Sequence, residues 1–546
     1  MTPIFALCDT YVWRSCELDP VTATYRGVPG DFEPGTDLSP GGYAARAALQ
    51  RETLSTLDTL LPQGPADQLA AAHLRERLEA DLAWYDSGEA LRPLRIPFGL
   101  LQVLRDNLDL MPANSEQDWT ALLARLRATP DMLAGLRATL AEGAAQGVVA
   151  ARRQALEGAT QAQRYADSAA FLPVAERYGS GPLAAELAAA AGRAHASFAE
   201  TARFLREEYA PQAAEADGVG AGRYAINARL ALGADIDLLD AYDWGWAELR
   251  DIEEQMRTEA NRVLPGASIE EAVAHLNATE FVEDADAYRA WLRDRHDEAI
   301  ERLHGVHFDI AEPLRKVDVT VVLHSSSGAP YYTPPSEDLS RPGRTWWPAA
   351  SRERFGVWAE LTTVFHEGVP GHHLQLGQTR VAGAALSRFS RLNGVSGHSE
   401  GWALYAEKLA DELGWLETPG QRLGMLKASA LRAARVVSDI GLHLDLPLPE
   451  PEAARHGNRW NFATMVDVLR DRGRLAEHRV HPEAVRYCGW PGQAISYKLG
   501  ERAWLAARAE AQQRLGSGFD LKQWHTDALS LGPVGLATLA QALRSM

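Results

Sequence analysis

From about Leu57 to Tyr209 apolar residues recur at every third and fourth position on a background rich in Ala, Leu, Arg and Glu. Leu122-Leu123-Leu126, Leu183 with Leu187, and Phe198 with Phe204 and Leu205 are examples. That period gathers the apolar side chains on one stripe, so the stretch predicts helix after helix. Pro62-Gln63-Gly64-Pro65 and Thr129-Pro130-Asp131 read as the connections between them. No fixed repeat period recurs, and a solenoid is not indicated. A second helical stretch runs from about Asp235 to Leu303, with Ser268-Ile269-Glu270-Glu271 forming a capping box after Pro265-Gly266. The pattern then changes. Val317-Asp318-Val319-Thr320-Val321-Val322 alternates and is β-branched, and Arg344-Thr345-Trp346-Trp347 is a second extended candidate, so a small sheet is expected before residue 350. Ser325-Ser326-Ser327-Gly328-Ala329-Pro330 and Pro334-Pro335 read as loops. From Arg354 to the end the pattern returns to helices, interrupted by Pro447-Leu448-Pro449 and by Pro491-Gly492.

The expected fold is therefore mainly α, with a small β-sheet ahead of the helices that begin near residue 354. A chain of 546 residues has material for several domains, yet large helical enzymes often form one body of two lobes. One catalytic unit, 1–546, is expected, with an N-terminal helical part to about residue 310 and the remainder following it.

Composition narrows the chemistry. Apolar residues at 46% and charged residues at 23% give an ordinary globular balance. The formal charge of −18, from Lys+Arg 55 against Asp+Glu 73, argues against a nucleic-acid partner, which needs a concentrated basic face. No apolar run reaches the roughly 18 residues of a spanning helix, so no membrane partner is expected. Met1-Thr2-Pro3-Ile4-Phe5-Ala6-Leu7-Cys8-Asp9 has no basic n-region and builds no apolar signal stretch. Cys8, Cys16 and Cys488 are an odd set without metal-ligand spacing, which suits a reducing compartment. A cytoplasmic location is the expectation.

Chemistry enters at Glu360-Leu361-Thr362-Thr363-Val364-Phe365-His366-Glu367-Gly368-Val369-Pro370-Gly371-His372-His373-Leu374-Gln375. Zinc hydrolases use such a His-Glu pair, the histidine to bind Zn2+ and the adjacent carboxylate as general base on the zinc-bound water. The usual helical form, HExxH, puts the second histidine one turn on. Here that position is Pro370. On an ideal helix His372 would sit about 120° from His366, whereas His373 would sit about 20° away but ~10 Å up the axis. Pro370 removes a backbone donor and Gly371 permits unusual dihedrals, so a bulge or kink is expected. A bulge absorbing the extra residues would bring His372 round to the metal; His372 is preferred, with His373 the alternative.

Downstream, His398-Ser399-Glu400-Gly401-Trp402-Ala403-Leu404-Tyr405-Ala406-Glu407 begins another helix. A carboxylate from a neighbouring helix is the standard third ligand in helical zinc peptidases, a role Glu400 fits. Glu407, about two turns on, could orient a histidine from behind or serve as a surface ion-pair partner.

HExxPGHHxQ, the EGWALYxE helix, Arg435-Val436-Val437-Ser438-Asp439-Ile440-Gly441-Leu442-His443, and the run Arg486-Tyr487-Cys488-Gly489-Trp490-Pro491-Gly492-Gln493-Ala494-Ile495-Ser496-Tyr497-Lys498-Leu499-Gly500 together resemble the bacterial family known as domain of unknown function 885. Ala329-Pro330-Tyr331-Tyr332 and Ser340-Arg341-Pro342-Gly343 extend the resemblance upstream. It covers most of the chain, with its most specific motifs after about residue 325. The family is regarded as predicted metallopeptidases, similar in layout to helical gluzincins such as angiotensin-converting enzyme and thermostable carboxypeptidases. The resemblance implies a two-lobed helical shell around a deep channel, short peptides as substrate, and carboxypeptidase- or dipeptidase-like trimming. Family members often carry a secretory or lipoprotein signal, which this N-terminus does not display.

The same layout asks for a donor opposite the base, to stabilise the oxyanion that develops at the scissile carbonyl. Tyr497, after the break at Pro491-Gly492, is the first candidate. Lys498 beside it could hold a substrate carboxylate; His443 and Arg435 are weaker candidates. Trp346 and Trp347 lie where related peptidases place an edge strand that pairs with extended substrate, or they are core tryptophans. Two other classes remain as alternatives. A redox-active di-iron protein would show duplicated Glu-x-x-His pairs, which are absent. A catalytically inactive peptide-binding scaffold would tolerate loss of Glu367 or Glu400, and both are present.

Overall fold

The computed structural model describes residues 1–30, 32, 34–168, 170–322, 329–349 and 354–545. The architecture is mainly α, with five short strands among the described residues. Proline at the first turn opens the helices Pro3–Leu18, Pro40–Leu57, Pro65–Asp86 and Pro419–Leu444, a position where the missing N–H costs nothing and the fixed φ suits the helix. The Ser268–Glu271 capping box forms as the spacing predicts and starts Ile269–Thr279. Residues 325–328 of the expected loop lie outside the described residues.

Among the described residues three apolar cores hold the helices. One joins the N-terminal helices to Phe389 and Leu392. A second is built from residues between Val21 and Ala213, with Val485. The largest runs from Tyr224 to Leu543, straight across residue 310. No described helix is long and apolar enough to cross a membrane.

Two expectations about breaks are corrected. Thr129-Pro130-Asp131 is no connection: Glu116–Ala145 continues through Pro130. The Thr129 hydroxyl donates to the Arg125 carbonyl, and Leu122, Leu126, Leu133, Leu136 and Leu140, all buried, keep one apolar stripe across the proline. The stretch 235–303 is in turn interrupted by strand β1 (Phe281–Glu283).

Strands β2 (Asp318–Val322), β3 (Tyr331–Thr333) and β4 (Arg344–Pro348) form one sheet in the order β2-β4-β3, with β2 parallel and β3 antiparallel to β4. Val319 and Val321 point inward from β2, and Thr345 and Trp347 from β4, the alternation that the sequence predicts. β5 (Arg354–Gly356) pairs with β1 just before the histidine-bearing helices. β4 is thus the central strand, and the expectation of a substrate-pairing edge at Trp346-Trp347 is corrected. β2 and β3 are the edges, and the Tyr331-Tyr332-Thr333 segment of β3 adds to a β4 already paired with β2.

Candidate metal centre

The expected single helix through the His-Glu pair is two helices. Glu360–Glu367 ends at Gly368, a tight turn containing a cis Val369–Pro370 bond follows, and His372–Val381 begins. Gly371 is required at this turn: a Cβ there would lie 2.0 Å from the His366 carbonyl oxygen. The Gly371 N–H donates to the Phe365 carbonyl and the Trp402 indole N–H to the Pro370 carbonyl. A full break, rather than a bulge, swings His372 back toward His366, and their ring centroids are 4.8 Å apart.

Glu400 arrives on the helix Ser396–Glu412. Its Oε2 lies 3.4 Å from His366 Nε2 and 3.5 Å from His372 Nε2. Ligands on a tetrahedral Zn2+ at ~2.0–2.1 Å stand roughly 3.3–3.4 Å from one another, close to the two spacings between Glu400 and the histidines. The three candidate ligand atoms all lie within 4.8 Å of one another, and the His366, His372 and Glu400 side chains are mostly buried.

The supporting groups fix the tautomer. Glu407 Oε1 accepts from His366 Nδ1 at 2.7 Å, and its Oε2 accepts from the Thr362 hydroxyl at 2.6 Å. A carboxylate only accepts, so Nδ1 carries a proton toward Glu407, which leaves Nε2, on the Glu400 side, as the ring nitrogen that could take a metal in place of a proton. Burial opposes protonation of His366, yet hydrogen bonds to Glu400 and Glu407 carry its pKa up to about 9. Glu400 is pushed up by burial but held well below the usual carboxylate range by its two histidine partners. Glu367 completes the set. It is 6% exposed, its Oε2 is buried without a hydrogen-bond partner, and burial raises its pKa against the opposing pull of His366 and His372. Three carboxylates around two imidazoles form a negative site of hard and borderline donors, which suits a divalent cation.

His373 is not in this set. Its Nε2 donates to the Leu314 carbonyl at 3.0 Å and its Nδ1 accepts from the Tyr332 hydroxyl at 3.1 Å. Burial lowers its pKa to about 4. Both ring nitrogens are engaged with the fold, and no lone pair is left for a metal.

A close helix crossing carries Tyr497 toward Glu400. Gly401 and Gly500 face each other where Ser396–Glu412 meets Ser496–Leu515, and a Cβ on Gly401 would fall 2.4 Å from the Gly500 carbonyl carbon. Glu400 neighbours the first glycine, and Tyr497 is one turn before the second. Burial and the Glu400 charge raise the Tyr497 pKa, which keeps the phenol protonated. The Arg435 guanidinium lies over its ring, 4.7 Å from the centroid.

Lys498 points elsewhere. Its ammonium bonds Glu501, lies 2.8 Å from Glu248 and donates to the Ser429 hydroxyl at 3.2 Å. Adjacent helical residues diverge by about 100°, so a Tyr497 turned to the site turns Lys498 away, and its expected substrate carboxylate is replaced by two carboxylates of the fold. Trp346 donates its indole N–H to Thr333 and stacks on Tyr331 at 5.7 Å, whereas Trp347 is wholly buried. His443 is structural: Nε2 donates to the Tyr487 carbonyl and Nδ1 accepts from the Val219 N–H. Sequence reasoning missed Thr362 and Arg432. Thr362 lies one turn before His366, and Arg432 sits 3.5 Å from Glu407; only the helical spacing of Thr362 could have signalled either.

The sequence profile of a bacterial family described as "Bacterial protein of unknown function (DUF885)" matches residues 20–543. No protein with a curated description matches. Among solved structures, a putative lipoprotein from Colwellia psychrerythraea superposes with a TM-score of 0.85 at 22% identity, covering 99% of this chain and 98% of that one. A putative lipoprotein of unknown function from Shewanella oneidensis does so with a TM-score of 0.74 at 16% identity, covering 98% and 99%. At these identities the likeness shows a shared fold.

Proposed function

We propose that this chain, which belongs to the bacterial DUF885 family, is a zinc-dependent metallopeptidase that hydrolyses short peptides. One observation carries the proposal: the convergence of His366 Nε2, His372 Nε2 and Glu400 Oε2, with the unpartnered Glu367 carboxylate beside them. His366, His372 and Glu400 would hold the ion. When bound, zinc supplies Lewis acidity that acidifies water and polarises a carbonyl.

The chain's own residues do the rest. Glu367 takes the proton of the attacking water at a carboxylate whose burial makes it a stronger base than a solvated glutamate. Glu407 and Thr362 hold the His366 ring in one orientation. Tyr497 donates to the oxyanion as it forms. The edge strand β3, adjacent to His372 and His373 through Tyr332, supplies backbone groups on which an extended peptide can lie.

The direct test is elemental analysis with peptide hydrolysis: about one zinc per chain, with cleavage lost to a chelator and restored by zinc. Zinc-loaded protein that cleaves no short peptide would sink the proposal. Tyr497→Phe keeps the ring and its packing against Arg435. It should retain zinc and lower kcat ~100–1000-fold with little change in KM. Unchanged kcat across several peptides would make the hydroxyl structural.

A further inference from the structure

A cavity of about 690 Å³ is lined by the helix Ile269–Thr279, by Lys427 of the helix Pro419–Leu444 and by the segment that ends and follows the helix Phe462–Asp471. Its size is that of an ordinary small-molecule site, ~300–1,000 Å³. None of its lining residues belongs to the metal centre. Five cationic side chains line it, Lys427, Arg455, Arg470, Arg472 and Arg474, against two carboxylates, Glu270 and Asp471. The whole chain carries a formal charge of −18, so this local excess of cations runs against its composition. Met256, Ile269, Val273 and Leu475 supply an apolar part of the same lining.

Three of the cations are engaged within the fold. Arg472 Nη1 lies 2.8 Å from Glu253 and its Nη2 bonds Glu452, Arg470 Nε lies 3.0 Å from Asp471 and its Nη2 bonds Asp467, and Arg455 shares Asp471. Lys427 and Arg474 are different. Among the described residues the half-buried Lys427 has no hydrogen bond and no ion pair through its ammonium. Arg474 pairs with Glu270, whose side chain is 67% exposed, so water screens that pair. Arg474 Nε is buried without an acceptor. The backbone at Arg474 is in the left-handed region, with φ at 53°, a conformation that a long side chain adopts only where its surroundings impose it. Gly473 precedes it, and a Cβ there would lie 2.6 Å from the Leu469 carbonyl oxygen. A tight turn after Asp471 therefore delivers a guanidinium with an unmatched donor to the cavity.

We infer that this cavity binds a small organic phosphate, held through its phosphate group by Lys427 and Arg474 and through its body by Met256, Ile269, Val273 and Leu475. A phosphate monoester carries roughly −1.5 to −2 charges and three strong acceptor oxygens. An ammonium with three donors and a guanidinium with a free Nε–H offer more than one carboxylate can accept. Inorganic phosphate has the charge but nothing to lie against the apolar part of the lining. The inference concerns binding at a second place in the chain and does not rest on the peptidase proposal.

The full chain is titrated calorimetrically at low salt with four probes: phenyl phosphate, inorganic phosphate, benzoate and phenol. Phenyl phosphate is expected to bind about 10-fold more tightly than inorganic phosphate, through burial of the ring, and more tightly than benzoate or phenol. Lys427→Met keeps the apolar stem, and Arg474→Gly suits the left-handed backbone. Each should weaken phenyl phosphate about 10–100-fold, whereas His372→Ala should leave its affinity unchanged. Failure of phenyl phosphate to bind overturns the inference, as does equally tight binding of inorganic phosphate, benzoate or phenol. Affinity that survives either cavity substitution, or that is lost with His372, also overturns it. If Arg474→Gly does not fold, Arg474→Asn, which also tolerates that backbone, takes its place, and the comparison of probes on the unsubstituted chain needs no variant. Peptide hydrolysis is measured separately. Binding of phenyl phosphate without peptide cleavage leaves the cavity site and removes the peptidase; cleavage without binding does the reverse.

Discussion

Zinc-loaded Glu367→Gln protein is expected to keep its metal and to hydrolyse short peptides about 100–10,000-fold more slowly than the unsubstituted chain. Glu367 follows His366 on the helix Glu360–Glu367, and the charges of His366, His372 and Glu400 all act on its carboxylate. It ties down no other part of the fold through Oε2, which is buried without a partner. Burial raises its pKa, with the Glu400 charge adding to the effect and His366 and His372 opposing it, and a carboxylate raised in this way accepts a proton more readily. Glutamine has the same shape and can still accept a hydrogen bond, yet it cannot take the proton. The substitution therefore removes the base while leaving His366, His372 and Glu400 in place. Elemental analysis and initial rates on the same preparation check both halves. Near-normal turnover in protein free of contaminating peptidase would mean that another group deprotonates the water.

Local signals in the sequence carried well into the structure. The Ser268–Glu271 capping box, the alternation from Val319 to Val321 and the helix start ahead of Glu400 each depend on a few neighbouring residues, and each forms where its pattern stands. Features set by distant partners did not show. β1 and β5 are three residues each and exist by pairing with one another, and neither has enough periodicity to register alone. Pro130 reads as a break because proline forfeits a helical bond, yet one apolar stripe on both sides of it outweighs that loss. Trp346 lies on the central strand because the short β3, which carries little strand signal, adds beyond it. Lys498 looked available because its partners, Glu248 and Glu501, are in one case remote in sequence and in the other a helical turn away. The same limit hid the contact between Gly401 and Gly500, which brings Tyr497 near Glu400 although nothing in either local stretch announces it.

The adjacent histidines separate geometry from composition, and the single variants are expected to diverge. His372→Ala should yield protein that folds and retains no zinc after dialysis, because it removes one of three converging donors. His372 Nδ1 has no hydrogen-bond partner, so the fold loses little when the ring goes. His373→Ala should keep zinc, with affinity reduced by no more than the roughly 10–100-fold usual for groups outside the ligand set. Its cost falls on stability instead. The ring is wholly buried between the Leu314 carbonyl and the Tyr332 hydroxyl, and each buried polar group left unpaired costs about 1–3 kcal/mol. Zinc content after dialysis and denaturant midpoints, measured on both variants, read the two effects independently. Zinc retained by His372→Ala but lost from His373→Ala at unchanged stability would mean that the chain passes Gly368–Gly371 as one continuous helix, with the seventh residue after His366 completing the metal site.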